Sequence, residues 1–279
     1  MSSSFPERRP IAACVLFLIA AKAWFIVTVV LTMNTLGRWS PTTASAVIVL
    51  ICALLPLLFV YTFLDRKGWA HRVGFTPPRK WQAIGLAWLP LIYVFVNFSN
   101  LPGAEATKPL TGEAIRMIFT QTASVPIFEE TVFRGLILAT LLNRYHASRS
   151  EILKAVMISA VLFGCWHLPL PNTPDVWQQS AARMLYTFFT GVCFAAIVLR
   201  TRSIWVCMIV HALILASNLI VSALKVGQAV PISQTVSETA ATRSAALTIL
   251  ATIPLLLYGL YLLRNIRPDS ARQALFRYP

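Results

Sequence analysis

Long apolar runs dominate this chain, at about 11–33, 44–64, 82–99, 117–142, 153–171, 179–199, 203–224 and 245–263. Each is close to the roughly 20 residues that a helix needs to cross the hydrocarbon core of a bilayer. Backbone N–H and C=O groups in lipid must pair within their own segment, so such runs are expected as helices. No alternating period-2 pattern competes, and no internal repeat is evident. The expected fold class is all-α: a polytopic transmembrane helix bundle of about eight spans, forming a single membrane domain over residues 1–279. Composition agrees, since only 12% of residues are charged and 57% are hydrophobic. A typical soluble domain carries about 25% charged residues.

The first run is too long for a signal-peptide core and lacks a small-x-small cleavage site, so it is expected to persist as a helix. Cys14, Cys52, Cys165, Cys193 and Cys207 all fall within apolar runs, which implies buried small side chains rather than a disulfide framework.

The net charge of +14 raises the question of nucleic acid, but the basic residues sit in short clusters between the apolar runs. That distribution suits anionic lipid headgroups, and no nucleic-acid partner is expected. Arg8, Arg9, Arg66, Lys67, Arg72, Arg79, Lys80, Arg144, Arg149, Lys154, Arg200, Arg202, Arg264, Arg267, Arg272 and Arg277 fall on one side of the predicted bundle, against Arg38, Lys108, Arg116, Lys225 and Arg243 on the other, with Arg183 close to it. The positive-inside rule places that side, with both termini, in the cytoplasm of a multi-pass cell-membrane protein.

Of the ten Asp and Glu residues, only Glu129 and Glu130 lie mid-way along a span. A charged side chain at the centre of a membrane helix costs about 2.5–3.5 kcal/mol on insertion scales, so two adjacent ones need a partner or a function. Glu130 and Arg134 are four residues apart and share a helix face, which predicts a buried ion pair. Glu129 points about 100° away and is left to face something else. Pro126 lacks an N–H for the carbonyl of Thr122, and a kink is expected there. Of the four histidines, His71 and His146 fall in basic loops, while His167 and His211 fall inside the fifth and seventh runs. At 1.5 Å per residue, Glu129, His167 and His211 lie roughly 22, 20 and 14 Å inside the basic boundary, so all three are able to meet in one cavity. Lys22, within the first run, matches no motif.

These residues resemble a known family. Glu129-Glu130 followed by Arg134, then Phe163 and His167, then His211 on a later helix, is similar to the CPBP family of intramembrane glutamic endopeptidases. That family includes the CAAX prenyl endopeptidases and bacteriocin-processing relatives. Pro126 before the Glu pair, Phe133-Arg134-Gly135 around the arginine and Leu168-Pro169 after the histidine agree with it. The resemblance covers about residues 117–220, the expected peptidase core. It implies catalytic roles for Glu129 and His167 in activating water and for His211 in stabilising the oxyanion. Glu130, Arg134 and Phe163 become supporting residues, with no cofactor and no metal. The implied substrate is a hydrophobic or membrane-associated peptide or protein. One position departs from the pattern: the Asn usual four residues after the last histidine is Leu215 here, and Asn218 is the nearest amide on that face.

The residues alone leave three other readings open. Glu129, His167 and His211 form a two-His, one-Glu set of the kind that holds catalytic zinc, although no HExxH motif is present. A transporter or proton relay would also place acids and imidazoles inside a bundle. A catalytically silent protein of the same fold, of an immunity type for instance, would tolerate Leu215.

Overall fold

A computed structural model describes residues 5–35, 74–75, 85–101, 109–168, 177–225 and 238–268, with isolated positions 47, 51 and 58. Among the described residues the regular structure is all helical, joined by short turns, and no strand forms. After a short turn of helix at Phe5–Arg8, α1 spans Pro10–Thr35, α2 Trp88–Phe98 and α3 Gly112–Glu130. A π-helical segment, Thr131–Leu138, joins α3 to α4, Ala139–Arg144. Then follow α5 at Arg149–Trp166, α6 at Trp177–Thr201, α7 at Trp205–Lys225 and α8 at Glu238–Leu263.

Four segments are long and apolar enough to cross a membrane: Pro10–Thr32, Trp177–Thr201, Trp205–Lys225 and Thr242–Leu263. The helix at Gly85–Phe98 is apolar but short. The run from α3 to α4 carries Glu113, Arg116, Glu129, Glu130, Arg134 and Arg144, and α5 begins with Arg149, Glu151 and Lys154. Those charges separate both from the four apolar spans. Apart from the isolated positions 47, 51 and 58, the run expected at about 44–64 lies outside the described residues.

Local chemistry starts the helices that carry the site. The Thr111 hydroxyl accepts from the Ala114 N–H at 3.1 Å and opens α3. Ser148 accepts from the Glu151 N–H at 3.3 Å, while Glu151 accepts from the Ala147 N–H at 2.9 Å. This reciprocal pair satisfies donors that a helix start leaves unbonded.

The helix passes through the buried Pro126 and stays α-helical to Glu130. One turn later the backbone changes to the π segment, where the Ser159 hydroxyl donates to the Phe133 carbonyl at 3.2 Å. Insertion of a side-chain donor into the carbonyl ladder is one recognised cause of such a distortion. The fifth run also ends sooner than its apolarity suggests. α5 stops at Trp166, and His167 is its C-cap rather than an interior residue. The Pro169 that follows restricts Leu168 away from α-helical backbone.

α6 lies between α5 and α8 and is the most buried of the four apolar spans. Small residues permit both contacts. A Cβ at Gly191 would come within 3.1 Å of Ala160, and one at Gly259 within 2.9 Å of the Cys193 backbone. Close backbone approach of this kind drives helix association where lipid removes the hydrophobic effect. α7 packs on α2 and α3, and α1 on α4 and α5, which brings the motif-bearing helices together.

Candidate active site

Glu129 and Glu130 close α3, so their side chains leave the helix just before the π segment, and both are buried. The expected pairing is present, with Arg134 Nη1 3.2 Å from Glu130 Oε1. The guanidinium also lies 4.3 Å from the Phe163 ring centroid and 5.3 Å from that of Phe194. Two aromatic faces and one carboxylate thus surround a cation that is 1% exposed.

Glu130 has a second partner. Its Oε1 accepts from His211 Nδ1 at 3.0 Å. A carboxylate is acceptor-only when ionised, so this bond assigns the proton to Nδ1 and turns Nε2 of His211 toward Glu129. His167 is fixed in the same sense, because its Nδ1 lies 3.0 Å from the Phe163 carbonyl, which only accepts. The Phe163 ring meets the His167 ring edge to face at 5.0 Å.

Both Nε2 atoms consequently face one group. His167 Nε2 is 3.8 Å from Glu129 Oε1, and His211 Nε2 is 3.8 Å from Glu129 Oε2. These separations are too long for direct hydrogen bonds. The Trp166 indole N–H supplies a direct contact, donating to Glu129 Oε1 at 3.3 Å. Trp166 was not singled out from the sequence, although its place beside His167 was a signal.

A cavity of about 460 Å³ opens beside the two imidazoles. His167, His211 and Phe163 line it together with Leu215 and Asn218 of α7. Glu129 is not among its lining residues and meets it through the two rings. Leu215 thus presents an apolar surface where the resembled pattern has an amide, and Asn218 is exposed on the same wall. Asn97 of α2, another residue that sequence reasoning passed over, also lines the cavity. Its amide donates to Ser217 Oγ at 2.9 Å and to the Ile214 carbonyl at 3.2 Å. A lone amide within the apolar run at 82–99 was its only signal.

Among the described residues, no group of three or more His, Cys, Asp or Glu side chains is arranged to hold a metal ion.

The bundle thus holds a buried carboxylate faced by two imidazoles beside a cavity, and its long apolar helices mark a membrane protein. Residues 111–217 match the family model described as type II CAAX prenyl endopeptidase Rce1-like. That stretch holds Glu129, Glu130, Arg134, Phe163, His167 and His211, so every motif residue up to His211 lies in the part of the chain that is similar to that family. The match agrees with the resemblance carried by the motifs and nearly coincides with its extent. No curated protein and no solved structure gave a significant match to the chain.

Proposed function

We propose that this protein is a glutamic-type intramembrane endopeptidase that hydrolyses a peptide bond of a hydrophobic or membrane-associated substrate. The observation that carries the reading is the approach of both Nε2 atoms to Glu129, at 3.8 Å each, beside the cavity. A gap of that size suits a water held between polar groups.

In the proposed reaction, Glu129 takes a proton from water while His167 Nε2 orients it by accepting its other hydrogen. The water oxygen attacks the scissile carbonyl carbon, and the carbonyl oxygen gains the negative charge. His211, with Nδ1–H held by Glu130 and a proton on Nε2, donates to that oxyanion. On collapse the C–N bond breaks, and the amine leaves with the proton that Glu129 returns. Every group in this sequence belongs to the chain, so no metal is required. Residues 117–220 are the proposed core of a single membrane domain.

Two outcomes are expected. In cells producing the wild type or Glu129→Ala, comparison of membrane proteomes reveals at least one protein that accumulates uncut only with the variant. The cleavage persists when membranes are treated with a strong zinc chelator. Loss of cleavage on chelation, restored by zinc, would return the zinc reading. Ion flux with no uncut protein would favour a transporter.

About eight spans with both termini cytoplasmic complete the proposal, supported by the one-sided distribution of basic clusters. Reporter fusions active only in the cytoplasm should be active at each terminus. Activity at one end alone would mean an odd number of spans.

A further inference from the structure

Lys22 is the only charged residue of α1. An ammonium midway along a membrane helix is costly, and such residues usually face the protein interior and have a task. Lys22 Nζ donates to the Trp166 carbonyl at 2.9 Å and lies 4.6 Å from the centroid of the Trp166 ring. That carbonyl belongs to the last turn of α5, where carbonyls lack intrahelical partners and the helix dipole is negative. Three residues along α1, the Phe25 ring meets the same indole edge to face at 6.2 Å. On its other side, the indole N–H donates to Glu129 Oε1.

The charges fit the same picture. The site holds two buried carboxylates, and Arg134 is in direct contact with Glu130. Lys22 interacts electrostatically with Glu129 and supplies a second positive charge on that side. α1 lies outside the stretch matched by the family model, which begins at residue 111.

We propose that Lys22 is a positioning residue of the active site. Through the Trp166 ring it fixes the carboxylate of Glu129, and through the Trp166 carbonyl it fixes the helix end that carries His167. The helix α1 is thereby part of the catalytic assembly. The catalytic meaning of the clamp rests on the peptidase reading; the contact itself does not.

The test uses the full chain in lipid nanodiscs and a farnesylated peptide ending in Cys-aliphatic-aliphatic-X as the probe. Lys22→Met is expected to lower kcat by about 10–100-fold, the size of effect that small misplacements of reacting groups produce, with KM changed less than about twofold. Lys22→Arg, which keeps a cation able to donate to a carbonyl and to lie on an indole face, recovers most of the loss. Indole ¹⁵N–¹H spectra of tryptophan-labelled protein give a readout independent of turnover. The Trp166 resonance, assigned by its absence in Trp166→Phe, is expected to move in both Lys22→Met and Glu129→Gln.

A Lys22→Met protein that melts earlier yet keeps its kcat per folded molecule, with the Trp166 resonance unmoved, would reduce Lys22 to a structural role and overturn the proposal. A wild type no more active on the probe than Glu129→Gln counts against prenylated tails as the substrate, not against the clamp. The indole resonance then decides the clamp by itself.

Discussion

Glu129→Gln is expected to lower the cleavage rate by about 10²–10⁴-fold, the range that a positioned general base contributes. The substitution preserves the shape of the side chain and one oxygen, so the Trp166 indole retains an acceptor. On the proposed mechanism, what it removes is the capacity to take a proton from a water held between Glu129 and the two Nε2 atoms, each 3.8 Å away. Because the loss falls on the chemical step, kcat should drop while KM stays near that of the wild type. Glu129→Asp tests geometry separately, since it keeps the base but withdraws it by one methylene. A Glu129→Gln enzyme with undiminished kcat would remove Glu129 from the mechanism.

Arg134→Met should be the most damaging substitution for stability. It leaves the Glu130 carboxylate, itself 0% exposed, without the cation 3.2 Å away. Breaking a buried pair by deleting one partner costs about 3–5 kcal/mol in typical cases, most of it from the stranded charge. The two ring faces of Phe163 and Phe194 lose their cation as well. Replacing both members, Glu130→Leu with Arg134→Met, is expected to restore much of the stability while leaving the protein inactive. Inactivity follows because His211 Nδ1 loses the acceptor that orients its ring. Unfolding by SDS titration in mixed micelles measures the first effect, and peptide cleavage measures the second. A single Arg134→Met variant that unfolds with the wild type would show that the pair contributes little.

The parts of this site legible in the sequence are those governed by helical periodicity. The Glu130–Arg134 pair follows from a four-residue spacing, and the separation of Glu129 from it follows from the next position around the helix. Depth along each run also indicated that Glu129, His167 and His211 reach a common level. Features that depend on how helices meet were not legible. Lys22 and Trp166 are separated by 144 positions, and only packing reveals their contact. Asn97 lies 120 positions from the Ser217 hydroxyl that it reaches. The π segment at Thr131–Leu138 contains Gly135 but no proline, and its correlate across helices is a donor from α5. The early end of α5 stood between these cases, since Pro169 signalled a boundary that the apolar run concealed.

The walls of the cavity come from two sources. The imidazoles and Phe163 lie within residues 111–217, whereas Tyr93 and Asn97 of α2 and Ala251 and Leu255 of α8 lie outside that stretch. Tyr93 even joins the two outer helices, its hydroxyl donating to the Ala251 carbonyl at 2.5 Å. On the peptidase reading, substitutions in α2 and α8 would reshape what the cavity admits while Glu129, His167 and His211 stay in place, which gives lineages a route to new targets without rebuilding the chemistry.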